Sequence, residues 1–118
     1  MNRWDIYWAD MPYEDVPGQR KTRPVIIAAD KVVYALVLRV TSHPAREDDD
    51  YDYAIQEWQY ANLSCPSVVR IQKIAQLRPD DIGDYIGHLH ITDIVEIQSR
   101  MKKLKEERDR LGSRRSRF

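Results

Sequence analysis

Three cations in four positions, Arg20, Lys21 and Arg23, run directly into Pro24 and the apolar Val25, Ile26 and Ile27. Positive charge gathered at the mouth of a buried strand serves either a solvated loop or a seat for an anion such as phosphate. A second stretch, "RVTS" at 39–42, bears on the choice. Read as strand, it points Arg39 and Thr41 one way and Val40 and Ser42 the other. In "VVRIQ", Arg70 and Gln72 likewise share a side opposite Val69 and Ile71. Arginine offers a planar fork matched to phosphate oxygens, and a threonine hydroxyl donates to a further oxygen. Arg23, Thr41 and Arg70 therefore suit one concave, cationic, hydroxyl-lined patch. The alternative is a set of strand-end residues that reach solvent or pair with acids.

Other chemistries find less support. His88 and His90 stand two apart beside Gly87, but no CxxC or HExxH accompanies them, and they read as polar positions flanking Leu89 in a short extended piece. The four acids at 47–50 lack the glycine-turned loop of a cation site. No Walker loop, GxSxG or dinucleotide fingerprint is present, so neither metal nor cofactor is expected. Cys65 is the only cysteine and cannot form an internal disulfide, which suits a reducing cytoplasm.

The elements that must position these residues follow from the pattern. "WDIYWAD" (4–10) is aromatic and β-branched, a first strand, and "MPYEDVPGQRKT" (11–22) is a loop punctuated by proline and glycine. Arg23, preceding proline, is extended, and Pro24 opens the second strand. A tight turn at Asp30 and Lys31 leads to a third strand over 32–42. Both strands are continuously apolar rather than alternating, so both faces are covered. The loop at 43–52 contains the acid run. "YAIQEW" and "YANLSCP" supply a short strand and a turn, and 67–77 is another strand. "RPDDIGDYIG" reads as a helical turn ending at Gly87. From Thr92, a plausible N-cap, Ile94, Ile97, Met101, Leu104 and Leu111 recur at helical spacing to about 111. "GSRRSRF" (112–118) reads as a glycine stop and a basic tail. A single domain over 1–111, mainly β with strands between 4 and 77 and one C-terminal helix, fits a small antiparallel barrel or half-barrel with the helix laid across it.

Bulk composition is consistent with this. The 118 residues are 42% hydrophobic and 32% charged, with no apolar run long enough to span a bilayer and no signal-peptide core at the start. Net charge is zero, yet residues 1–60 hold 7 Lys/Arg against 11 Asp/Glu while 61–118 hold 12 against 8. Only local clusters can therefore favour a polyanionic partner.

"WDIYWADMPYEDVPGQRKTRPVIIAAD", "VLRVTSHP", "PSVVRIQKIAQL" and "IGHLHITDIVEIQSRM" together resemble the MazF/PemK toxin endoribonucleases, in order over about residues 3–104. The resemblance implies an SH3-like barrel shared with the gyrase poison CcdB. It also implies a homodimer, metal-independent and sequence-selective cleavage of single-stranded RNA in the cytoplasm, and an antitoxin with a disordered segment that covers the active groove. It assigns the catalytic pair to Arg23 and Thr41, with Ser42, Arg70 and Gln72 in support at the phosphate. Gln72 stands where several members carry an acid, and Gly18 and Gln19 stand near an expected loop acid, with Glu14 and Asp15 further back. Arg20, Lys21 and His43 are expected to lead or hold the RNA, and His43 also adjoins the Thr-Ser pair as a possible base. Trp58 and Tyr60 are either base-stacking or core aromatics. The rival expectation is a non-catalytic, CcdB-like binding module.

Overall fold

The structure, a computed structural model, describes residues 1–12, 18–45 and 51–115. Among the described residues, six strands form one antiparallel sheet in the order β4-β5-β3-β2-β1-β6. They are β1 Asp5–Pro12, β2 Arg20–Asp30, β3 Ala35–Thr41, β4 Asp52–Ala54, β5 Val68–Leu77 and β6 Ile82–His88, followed by the helix α1, Ile91–Arg115. β4 and β6 are the two edges, so the barrel is open. The acid run at 47–50 and the loop acids Glu14 and Asp15 lie outside the described residues.

The continuous apolar character of β2 has the expected cause. Val25 and Ile27 pack with Ala9, Met11, Val37 and Leu77 on one face. Ile26 and Ala28 pack on the other with Ile6, Leu38 and Ile71, beneath Ile97 and Leu104 of α1. Val25, Ile26 and Ile27 are all 0% exposed; burying side chains of this size contributes about 1.5–3 kcal/mol each. Trp58 packs against the helix-side cluster, whereas Tyr60 is exposed and meets the His90 ring edge-on.

Several boundaries differ from expectation. β2 opens at Arg20 rather than Pro24, because Pro12↔Arg20, Met11↔Lys21 and Asp10↔Thr22 continue its ladder with β1. Arg20 and Lys21 are thus strand residues. β3 begins at Ala35, and Val32 and Val33 form an exposed turn closed by Lys31 N–H donating to Tyr34 O at 2.9 Å. "RPDDIGDYIG" is a 3-10 turn at Pro79–Asp81 that passes straight into β6, which pairs with β1. Gly87 permits this: a Cβ there would lie 2.2 Å from the Ala61 carbonyl oxygen.

The helix also departs from expectation at both ends. It starts at Ile91, and His90 rather than Thr92 caps it, its Nδ1 accepting the Thr92 N–H at 3.1 Å. It runs through Gly112 to Arg115, so no glycine stop operates, and Leu111 is exposed beyond the packed stripe. Asp93, fully buried, fastens its first turn by accepting the Tyr53 hydroxyl and the N–H groups of Gln56 and Glu57 at 2.9 and 3.0 Å. Burial, then the bond to Asp93, pushes the Tyr53 phenol well above its ordinary value. Among the described residues no helix is long and apolar enough to cross a membrane.

Candidate active site

β2 and β3 pair from Asp30↔Ala35 to a last pair, Val25↔Arg39. Pro24, which has no N–H to donate, lies one residue beyond that end. Arg23 lies two residues beyond that end on β2 and Thr41 two beyond it on β3, and the period of two gives both the parity of Val25 and Val37. Arg23 is half-buried and Thr41 is 6% exposed. Lys21, exposed, shares the parity of Arg23.

Thr41 ends its strand in a turn in which its own Oγ1 accepts the His43 backbone N–H at 3.2 Å. That bond occupies a lone pair and leaves the hydroxyl hydrogen for another acceptor. Ser42 and His43 follow immediately and are exposed.

On the other side of β3, Arg39 pairs with Arg70 of β5, and Thr41 with Val68. Two guanidinium groups in register repel unless a counter-charge intervenes. Asp52 of β4, the cross-strand partner of Arg70, supplies one: its Oδ2 accepts Arg70 Nη1 at 3.0 Å, with the Asp52 side chain only 1% exposed. A buried carboxylate so aimed fixes the arginine's direction. Sequence parity alone put Arg39 on the Thr41 side without giving it a role. Asp52 was not legible, because it trails an acid run and only the β4–β5 pairing reveals its partner.

The remaining expected residues stand differently. Gln72 is exposed and falls in an irregularity of β5, between the pairs Arg39↔Arg70 and Leu38↔Ile74, where alternation breaks. Arg20 is engaged elsewhere. Its Nε donates to Asp10 Oδ2 at 2.9 Å and its Nη2 to the Asp10 carbonyl and to Asp81 Oδ1 at 2.8 and 3.3 Å. It clasps the β1–β2 hairpin to the 3-10 turn, a structural use that its place in a loop had not suggested.

Among the described residues no group of three His, Cys, Asp or Glu is placed to hold a metal. His88 is paired through Nδ1 to Asp5 at 2.8 Å, and His90 caps α1. By register and parity, Arg39, Arg70 and Thr41 share one face of the sheet, and Arg23 has the parity of that face. Such a set can bind the non-bridging oxygens of one phosphodiester and stabilise added negative charge on phosphorus.

Comparison with known proteins agrees with this reading of the fold. Among solved structures, a mycobacterial endoribonuclease in complex with its cognate antitoxin superimposes with a TM-score of 0.68 at 18% identity, over 87% of this chain and 92% of that one. The Mycobacterium tuberculosis toxin MazF-mt6 gives 0.64 at 17% identity, over 85% and 96%. At such identity the likeness is one of fold. No curated protein matches the chain. The family model described as PemK-like, MazF-like toxin of type II toxin–antitoxin systems matches residues 2–104. With most of its length inside that match, this chain belongs to the PemK/MazF-like family of type II toxin–antitoxin toxins.

Proposed function

We propose that this protein is a metal-independent endoribonuclease that cleaves single-stranded RNA. The observation that supports the reading is the register of β2 against β3 and of β3 against β5, which sets Arg39 and Arg70 on the face whose parity Arg23 and Thr41 share. RNA brings its own nucleophile. The ribose 2′-oxygen bonds to the adjacent phosphorus, the bond from phosphorus to the 5′-oxygen breaks, and a 2′,3′-cyclic phosphate and a 5′-hydroxyl result. Arg23 meets the non-bridging oxygens and, by hydrogen bonding to the leaving 5′-oxygen, helps it take up a proton from solvent. Thr41 donates its free hydroxyl hydrogen to the same phosphate, with Ser42 beside it and Arg70, steadied by Asp52, adding positive charge. The 2′-hydroxyl proton leaves to the exposed His43 imidazole or to solvent, and Lys21 draws the polyanion in.

Purified protein incubated with a long single-stranded RNA in EDTA tests this. Discrete fragments ending in 2′,3′-cyclic phosphate are expected, and a substrate with 2′-deoxyribose at the scissile position stays intact. A pH–rate profile altered in His43→Gln assigns the base to His43, and an unchanged one assigns it to solvent. Intact RNA throughout favours the second reading, a non-catalytic binding module, for which Gln72 in place of an acid is the specific observation. As a toxin acting on RNA it works in the cytoplasm, as a homodimer, and an acidic, partly disordered antitoxin segment covers the cationic face. The structural neighbour bound to its antitoxin supports that partner.

A further inference from the structure

A groove of about 570 Å³ runs along the second half of α1, beside β5 and the N-terminus. Its floor is apolar: Ile74 of β5 is 43% exposed there, with Met101 and Leu104 of α1 beside it. Its rim is cationic, carrying Arg3, Lys102, Lys105 and Arg108 against the single carboxylate of Asp109. Ile74 pairs with Leu38, which belongs to the helix-side cluster, whereas Arg23 and Thr41 share the face of Val25 and Val37. The groove is therefore on the opposite side of the sheet from the phosphate site.

A nucleic-acid strand would leave that apolar floor unserved, since none of the residues around it is a flat aromatic ring on which a base could stack. Four cations to one acid select against a basic occupant and against a second copy presenting its own cationic α1. We propose that this groove docks an acidic peptide segment of a partner protein, with apolar side chains seated on Ile74, Met101 and Leu104 and carboxylates facing Arg3, Lys102, Lys105 and Arg108. The inference rests on the groove and stands whether or not the chain cleaves RNA.

The probe is a fluorescein-labelled 12-residue peptide of glutamates with leucines at two positions four apart, titrated into the full chain by fluorescence polarisation. Binding is expected at 50 mM salt and weakens as salt rises, because surface charges are screened over about 8–10 Å at physiological ionic strength. The triple variant Lys102→Glu, Lys105→Glu, Arg108→Glu, at exposed helix positions, lowers affinity tenfold or more. Ile74→Asn does the same through the floor, and circular dichroism verifies that both remain folded. Arg23→Ala binds the peptide as the wild type does. Affinity unchanged in the triple variant or in Ile74→Asn overturns the proposal. So does equal binding of a lysine-for-glutamate peptide, displacement of the peptide by a single-stranded RNA oligomer, or dissociation of a self-associated chain by Ile74→Asn. RNA cleavage by the wild type is read in parallel: cleavage without peptide binding overturns the docking proposal alone, and peptide binding without cleavage overturns the nuclease reading alone.

Discussion

Thr41 is held by its own backbone neighbour, and that determines what its side chain is free to do. With one lone pair engaged by the His43 N–H, the hydroxyl keeps its hydrogen for an acceptor. Arg23→Ala and Thr41→Ala are each expected to lower the RNA cleavage rate by about 10²–10³, the usual effect of removing one charge-stabilising donor. Thr41→Ser keeps most of the activity because it preserves both the turn and the hydroxyl. Arg23→Lys does not, because an ammonium lacks the planar fork. Single-turnover kinetics on a short RNA checks all four, and undiminished cleavage by either alanine variant refutes the assignment. At this scale the sequence was informative where parity governs. Arg39, Thr41 and Arg70 fall on one side of their strands merely by counting. The roles of Arg20 and Asp52 depend on residues far away in the chain, Asp81 for one and Arg70 for the other, which no local pattern reveals.

Among the elements, β6 was the one hidden in the sequence. Pro79, Asp80 and Asp81 imitate a helix start, and the glycines at 83 and 87 dilute the strand pattern. Its existence is decided by pairing with β1 and by the close approach of Gly87 to Ala61. Gly87→Ala is expected to lower stability by about 1–3 kcal/mol, as forced overpacking does, measurable as a lower Tm. β2 and β3 were legible because apolar runs of that length, bounded by turn residues, have few other uses. The helix was legible through its stripe as far as Leu104, and its ends were not, since capping by His90 is a matter of geometry. The tie between α1 and the 53–57 segment leads to a pH dependence. Folded Tyr53 keeps its proton above its ordinary value, whereas the unfolded chain releases it near pH 10, so the native state binds more protons in that range. The stability this group contributes is complete below pH 10 and declines as pH rises further, by up to about 1.4 kcal/mol per pH unit. Urea denaturation at pH 8 and pH 11 should therefore show Tyr53→Phe less stable than the wild type at pH 8, with a narrower gap at pH 11. A constant gap contradicts this account.

For the whole molecule, one sheet serves two sides with different chemistry. Arg70 and Ile74, four residues apart, would share a face in an uninterrupted strand; the irregularity in β5 lets the first join the arginine face and the second line the groove beside α1. The cations at the groove rim lie along α1 and near the N-terminus, on the other side of the sheet from the arginine face, which composition could not indicate. Sedimentation equilibrium at micromolar concentration is expected to give twice the 14.0 kDa chain mass, and a monomer would remove the homodimer from the proposed function.

Pro12 and Arg20 face each other at the open end of the first hairpin, with the Arg20 guanidinium tied back to Asp10 and forward to Asp81. The stems of that hairpin are thus locked independently of the seven residues between them, 13–19. A short cassette anchored in this way can be swapped for one of another length and composition without sliding either strand.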